Sequence, residues 1–380
     1  MIGNRLLLLS ILFLGTYADI YTRFRVALAP GPVTRSFGLG QNYGGSCYHY
    51  NANLAAIYAE AIDMAQVAVT ALETYNNNRR VRATLQTFFG IRPGPDGISV
   101  ASNQLQLFND VKAAFQDIIA DSTNTFNAAT GTPSLFCDGS WRWMTKMLYD
   151  RTTGAMTGRT LESELIRLGR SPDEVRNAQS NWAPFFKTYA GSGPGCTKNT
   201  LALTSYGTVG SITLCPRTWK DKTSLSDWRT GVRVINTGTA LKQAQSIPST
   251  LLHELCHLTS GGTITDEKIT IVEDGESSIQ VAYGPKNTAL LALENPRKAV
   301  LNADSYRWFA TAIYLGNYDW SRTNSNRNPA ANVKRDNATS YDGEELRIVK
   351  RFMRKTSSER RQINLSMEDE TDEKDWAQFQ

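Results

Sequence analysis

The spacing of apolar residues predicts a chain that is mainly helical. In several segments apolar side chains recur every three or four positions, which is the repeat of a helix with one buried face. One of these segments also carries helix signals at its ends, because Ser246 can cap it, Pro248 fits its first turn and two glycines follow it. The segments predicted to be helical are residues 51–75, 104–119, 246–258, 286–293 and 296–315.

Two other parts of the chain have a different pattern. Residues 201–203 and 212–214 are short apolar stretches beside glycine-rich turns, which predicts a small sheet. Residues 334–380 contain 10 Lys or Arg and 11 Asp or Glu, so they have too little apolar area to offset chain entropy. We therefore predict an α+β fold, mainly helical with a small β-sheet, followed by a disordered tail.

The first residues of the chain predict secretion. Arg5 precedes an apolar run at 6–14, and small residues stand at 16 and 18, where a signal peptidase reads. The run is too short to cross a hydrocarbon layer of ~30 Å, so no membrane partner is expected. The predicted organisation is a signal peptide (1–18), an irregular lead or short pro-segment (19–45), a folded domain (46–320) and a charged tail (321–380).

Composition and cysteine content agree with an extracellular globular protein. The formal net charge of +5 over 380 residues is mild and dispersed, which does not indicate a nucleic-acid partner. Secreted thiols tend to pair, but five cysteines leave at least one without a partner in the chain. Cys256 lies inside an apolar run, where a free cysteine behaves as a small buried hydrophobic residue. We expect Cys256 to be free.

The predicted helix at 246–258 carries an HExxH motif formed by His253, Glu254 and His257. Residues at i and i+4 share one helical face, so both imidazoles can bind one zinc ion. Zinc lowers the pKa of bound water to roughly 7, and a neighbouring carboxylate can accept its proton during peptide hydrolysis. The alternative, two hydrogen-bonded histidines in a buried helix, would be costly among the flanking leucines.

A catalytic zinc normally takes three protein ligands and one water. The only other histidine, His49, is remote in sequence, so the third ligand is expected to be a carboxylate. Spacing alone does not rank the candidates, which are Asp266, Glu267, Glu273, Asp274, Glu276 and Glu294.

Three segments together resemble the aspzincin metallopeptidases, the family of fungal deuterolysins and peptidyl-Lys metalloendopeptidases. They are HELCHLTSGGTITD from His253, Ala-Tyr-Gly around Tyr283, and KAVLNADSYRWF at 298–309. The resemblance implies a zincin-like helical fold with a small β element and peptide or protein substrates. It also implies that Asp266 is the third zinc ligand, that Tyr283 hydrogen-bonds the developing oxyanion, and that Asp304 contributes to a substrate pocket.

The resemblance also implies a disulfide pattern. Its two disulfides correspond to Cys47 with Cys137 and Cys196 with Cys215, which again leaves Cys256 free. Residues 138–195 look like an insertion relative to compact members of the family.

The chain departs from the family pattern in two places. Family members place the Asp three residues before the Tyr, whereas residues 267–282 separate the two here, so Asp274 is a reserve ligand. Lys-specific members have a Glu three residues after the pocket Asp, and this chain has Arg307. A cation at that place would repel a substrate lysine, so strict Lys specificity is not expected.

The sequence therefore predicts a secreted zinc endopeptidase with Glu254 as general base. The alternative is a secreted non-catalytic protein that retains the metalloprotease fold, because the opened segment before Tyr283 could have lost the ligand set. A zinc-capturing surface protein is a third interpretation, and the intact Glu254 counts against it. The natural substrate, the cleavage preference and the oligomeric state do not follow from the sequence.

Overall fold

A computed structural model describes most of the predicted domain. The predicted signal peptide, most of the lead and nearly all of the charged tail lie outside the described residues, and the predictions for them stay predictions. The described residues are 19–28, 45–123, 131–141, 143–145, 147–149, 155–171, 180–183, 188–189, 195–205, 210–220, 225, 229, 234–236, 238–273, 276–316, 318–320 and 326–327.

Helices form most of the core. The two predicted near the N-terminus are confirmed at Asn51–Glu73 and Leu105–Thr123, and Arg79–Phe89 is a helix that the sequence interpretation missed. The segment predicted as one helix at 296–315 is two, because the backbone leaves the helix at residues 301–302. In chain order the helices are α1 (Ile20–Arg23), α2 (Asn51–Glu73), α3 (Arg79–Phe89), α4 (Leu105–Thr123), α5 (Leu161–Arg167), α6 (Ile247–Thr259), α7 (Gly284–Glu294), α8 (Pro296–Val300) and α9 (Ala303–Tyr314).

The strands are short and form several small sheets. The largest has the order β1-β2-β9-β8, with β1, β2 and β9 parallel and β8 antiparallel at one edge. The predicted strands at 201–203 and 212–214 correspond to its last two members. The strands are β1 (Arg25–Val26), β2 (Ser134–Phe136), β3 (Trp143–Thr145), β4 (Met147–Tyr149), β5 (Met156–Thr160), β6 (Ser180–Ala183), β7 (Thr188–Tyr189), β8 (Ala202–Ser205), β9 (Ser211–Leu214), β10 (Lys268–Glu273), β11 (Glu276–Val281), β12 (Tyr318–Asp319) and β13 (Asn326–Arg327).

Helix α6 lies at the centre of the domain. It packs against α2, α4 and α9 and against strand β8, and every residue from 247 to 257 is buried. A helix covered on all sides belongs to a core, which explains the leucines that flank its polar residues. Its start is fixed by a capping box in which Ser246 and Ser249 exchange side-chain and backbone hydrogen bonds.

The cysteines adopt the pairing that the resemblance implies. Cys47 is bonded to Cys137 and Cys196 to Cys215, with Cα–Cα distances of 4.8 and 5.4 Å. Cys256 is free and buried on α6, and burial raises the pKa of its thiol. The described parts of the predicted insertion at 138–195 contain α5 and strands β3 to β7, which form a three-stranded sheet and a separate hairpin.

One helix among the described residues is long and apolar enough to cross a membrane by length and composition. It comprises the 26 residues from Tyr48 to Glu73, with a mean hydropathy of 1.3 in its most apolar window, and half of that window is buried. Its buried residues belong to the main hydrophobic core. Packing against α4, α6 and α9 accounts for its apolar composition.

Candidate metal centre

Helix α6 brings the two histidines of the HExxH motif together. His253 and His257 lie one turn apart on the same face, and their Nε2 atoms are 3.1 Å from each other. Both side chains are buried. The helix therefore presents two imidazole nitrogens to a single point.

The turn after α6 orients the second histidine. Gly261 and Gly262 have φ values of 60° and 85°, a region that glycine adopts without steric cost. They let the chain reverse, so the carbonyl oxygen of Ile264 lies 2.9 Å from Nδ1 of His257. A carbonyl only accepts, so Nδ1 carries the proton and Nε2 keeps its lone pair for a ligand.

Asp266 completes a group of three potential ligands. Its Oδ1 lies 3.2 Å from Nε2 of His253 and 3.3 Å from Nε2 of His257. The ligand atoms of these three residues all lie within 4.8 Å of one another. Oδ1 of Asp266 is buried and makes no hydrogen bond of normal geometry within the described residues. Two imidazole nitrogens and one carboxylate, with this oxygen left unsatisfied, fit a zinc ion that keeps one position for water.

A β-hairpin explains how Asp266 and Tyr283 meet despite the residues between them. Strands β10 and β11 pair in continuous register from Lys268 with Val281 to Glu273 with Glu276. The strands start and end side by side, so the phenol of Tyr283 donates a 2.7 Å hydrogen bond to Oδ2 of Asp266. The extra residues thus lengthen the chain at this place without separating the two side chains.

Asn302 connects both ends of this hairpin to α9. Its Oδ1 accepts a hydrogen bond from the backbone N–H of Glu267, and its Nδ2 donates to the carbonyl of Ala282. The side chain is fully buried. Asn302 therefore helps to hold the strands that precede Tyr283 and follow Asp266 in fixed positions.

Glu254 lies beside the cluster and is held by strand β8. Its Oε1 is 4.0 Å from Nε2 of His253, and its Oε2 accepts a 2.7 Å hydrogen bond from the hydroxyl of Thr204. The sequence interpretation missed Thr204, because nothing in a strand pattern shows which distant helix its side chain contacts. The bond leaves Oε1 facing the metal centre.

Asp304, which the resemblance assigns to a substrate pocket, is buried next to His253, and its role in a pocket stays a prediction. The residue is only 1% exposed, and Oδ2 accepts hydrogen bonds from the backbone N–H of Gly284 and from Nε1 of Trp308. Its Oδ1 lies 3.2 Å from Nδ1 of His253 and 3.5 Å from Arg307. Asp304 thus stands behind His253, where its charge favours a proton on Nδ1 and leaves Nε2 to face the cluster.

Replacing Asp304 by asparagine is expected to lower zinc affinity by about 10- to 100-fold, since partners behind a metal-bound histidine contribute on that scale. The measurement is a zinc titration against a competing chelator. Asp63→Asn is the matched control, because Asp63 pairs with Arg229 away from this cluster. Equal zinc affinities for Asp304→Asn and the control would contradict the positioning role.

The other carboxylates considered as third ligands are placed elsewhere or lie outside the description. Glu267 contacts the hydroxyl of Thr265 and the amine of Lys298. Glu294 is exposed at the end of α7. Asp274 lies outside the described residues, and the side chains of Glu273 and Glu276 are not described. Among the described carboxylates, Asp266 is the one grouped with both histidines.

The close packing of charges shifts the protonation of the metal-free site. Burial alone would lower the pKa of His253, but Asp266 and Asp304 outweigh it and raise the pKa to about 10. Burial would raise the pKa of Asp266, and contacts with both histidines outweigh it and lower the pKa. Burial, and then the nearby Asp266, raise the pKa of Tyr283. Because the pKa of His253 is raised, a cation that binds there competes with a proton on this histidine.

The HExxH pair, the adjacent glutamate and the third carboxylate are the groups that the resemblance implies for the site of a zinc metalloendopeptidase. Residues 173–311, which contain all of them, match the profile of the aspzincin family, described as lysine-specific metallo-endopeptidase. The resemblance to that family is thereby confirmed over these residues.

The solved structure of a zinc peptidase from Grifola frondosa is similar, with 20% sequence identity, a TM-score of 0.36, and coverage of 69% of this chain and 94% of that chain. Comparison with curated protein sequences gave no match.

Proposed function

We propose that this protein is a secreted endopeptidase that holds one zinc ion through His253, His257 and Asp266. The observation that carries the proposal is the convergence of these three ligand atoms beside the carboxylate of Glu254. The zinc ion, when bound, supplies a Lewis acid that makes water acidic and polarises a peptide carbonyl. The chain's own residues then have to move protons and stabilise charge.

Glu254 is proposed as the general base. Its carboxylate is buried and anchored through Oε2 by Thr204, so Oε1 keeps one orientation toward the histidines. From there it can accept a proton from the attacking water and return it to the leaving amine. The single fixed rotamer saves the cost of ordering the base for each turnover.

Tyr283 is proposed as the hydrogen-bond donor to the developing oxyanion. Its side chain is 43% exposed, unlike the buried histidines, so a substrate can reach it. Its raised pKa keeps the phenol protonated at neutral pH, which a donor requires. In the absence of substrate the hydroxyl donates to Asp266.

Changing Tyr283 to phenylalanine is expected to lower kcat by roughly 100-fold, the loss typical of one oxyanion donor, with little change in zinc content. Steady-state kinetics on a fluorogenic peptide and metal analysis of the same sample test this. Tyr48→Phe is a control, since Tyr48 is exposed and contacts His49 rather than the cluster. A kcat within twofold of the wild type would remove Tyr283 from the mechanism.

An extracellular location is supported by the two disulfides, since such bonds persist in oxidising compartments. The non-catalytic alternative rested on the opened segment before Tyr283. The hydrogen bond between Asp266 and Tyr283 across the hairpin supports the catalytic function over this alternative.

Removal of the metal provides the direct test of the proposed function. The purified protein is expected to cleave casein, to lose that activity with a zinc chelator, and to regain it when zinc is added. Both the full-length chain and a chain shortened at residue 320 should be assayed, so that an inhibitory tail is not mistaken for inactivity. Full zinc occupancy without cleavage by either chain would favour the non-catalytic alternative.

A further inference from the structure

Arg307 is a buried cation that the proposed mechanism does not use. It lies on α9 with 6% of its surface exposed, one turn after Asp304. One terminal nitrogen, Nη1, is 3.5 Å from Oδ1 of Asp304, and the guanidinium carbon is 4.7 Å from the ring centre of Trp308. Within the described residues, its Nε and Nη2 atoms have no hydrogen-bond partner.

The contact with Asp304 leaves most of this guanidinium unsatisfied. Oδ2 of Asp304 is already bound to Gly284 and Trp308, and Oδ1 is shared with His253. Guanidinium groups are best satisfied by two parallel hydrogen bonds to one carboxylate, and an unpaired buried charge is strongly unfavourable. The free donors of Arg307 therefore have the chemistry of a site for a further carboxylate.

The position of Arg307 ties these donors to the active site. Its neighbour Asp304 also contacts His253, one of the proposed zinc ligands. The start of α9 is joined to the hairpin that follows Asp266, because Asn302 accepts a hydrogen bond from the backbone N–H of Glu267. Burial lowers the pKa of Arg307, and the charges of Asp304 and Glu254 oppose that effect. The guanidinium is thus within electrostatic reach of the proposed general base.

We propose that Arg307 binds a carboxylate of the peptide substrate, so that this enzyme prefers an acidic group next to the cleaved bond. The inference rests on the proposed function and deepens it by naming a substrate class. A lysine side chain at the same place would meet a buried cation and lose its hydration. The carboxylate can belong to a Glu or Asp side chain or to the C-terminus of a short peptide.

Matched peptides test this preference on the unmodified protein. The set has one cleavable sequence in which each position flanking the bond carries Glu, Gln or Lys, with both ends capped, and one Gln peptide with a free C-terminal carboxylate near the bond. We expect Glu to exceed Gln at one position by at least tenfold in kcat/KM, and Lys to be the poorest. A higher rate only for the free C-terminus would assign the carboxylate to the chain end. Equal rates for Glu, Gln and the free C-terminus would overturn the inference and leave the proposed function intact.

Substitution of Arg307 tests the residue itself. Arg307→Gln is expected to bring the Glu-to-Gln ratio close to one, and Arg307→Glu to favour the Lys peptide. Arg297→Gln is the matched control, because Arg297 is an exposed arginine on the neighbouring helix α8. A ratio that stays above tenfold in folded Arg307→Gln protein would assign the preference elsewhere.

A binding measurement separates this inference from the proposed function. The Glu and Gln peptides are titrated into zinc-loaded Glu254→Gln protein, with heat release as the readout. Binding of the Glu peptide at least tenfold more tightly supports the inference even if no peptide is cleaved, and equal binding contradicts it. If Arg307→Gln does not fold, as judged by its melting temperature, this titration and the matched peptides still decide the question.

Discussion

Glu254→Gln is expected to lower kcat for peptide hydrolysis by at least 100-fold while the purified protein keeps its zinc. Glutamine preserves the shape of the side chain and can keep the hydrogen bond with Thr204, but its amide cannot accept a proton from water. General bases contribute about 10²- to 10⁴-fold to rates of this kind. The histidines and Asp266 are unchanged, so metal binding and fold should persist. Peptide kinetics, metal analysis and a thermal melt on one preparation test all three statements.

A matched glutamate provides the control for this variant. Glu267 directly follows the proposed ligand Asp266 in the sequence, but its side chain contacts Thr265 and Lys298 instead of the histidines. The kcat of Glu267→Gln for peptide hydrolysis should therefore stay within a few fold of the wild-type value. A loss of less than tenfold for Glu254→Gln, with zinc retained, would rule out Glu254 as general base.

Asp266→Ala is expected to lower zinc affinity by at least tenfold. The change removes the oxygen that lies within 3.3 Å of both histidine nitrogens and leaves the site with two protein ligands. It also removes the acceptor of the Tyr283 hydroxyl, so kcat should fall further than metal loss alone predicts. Zinc titration against a competing chelator measures the first effect, and kinetics at saturating zinc measure the second.

The zinc affinity of Asp274→Ala should be compared with that of Asp266→Ala. Asp274 lies outside the described residues and follows Glu273, the last described residue of β10, in the sequence. Its removal should leave zinc affinity within a few fold of the wild type. The reverse ranking would move the third ligand to Asp274, and small equal effects would point to Glu273 or Glu276.

The HExxH helix could be predicted closely because its signals are local. Ser246, Pro248 and the glycines after residue 260 set its ends, and the spacing of His253 and His257 sets their common face. The central helices at 51–75 and 104–119 were predicted for the same reason. Helix α3 was missed although Val81, Leu85 and Phe88 have helical spacing, because arginines and threonines between them weaken the apolar pattern.

The remaining parts of the site depend on contacts between distant segments. Spacing could not rank the acidic candidates, because only the pairing of β10 with β11 shows that Asp266 lies beside Tyr283. The place of Asp304 could not be inferred either, since helical periodicity does not tell which helix packs against its face. Asp304 turns toward His253 because α9 packs directly on α6.

The hairpin between Asp266 and Tyr283 also bears on how relatives of this chain can be found. Its two ends are fixed by Asn302 and by a small apolar cluster that includes Ile269 and Ala282, and the pairing of its strands continues from Lys268 with Val281 to Glu273 with Glu276. The hairpin can therefore become longer or shorter in evolution while the proposed ligands keep their positions. A search pattern that demands a fixed number of residues between the aspartate and the tyrosine will overlook such chains, and one that allows a paired loop there will not.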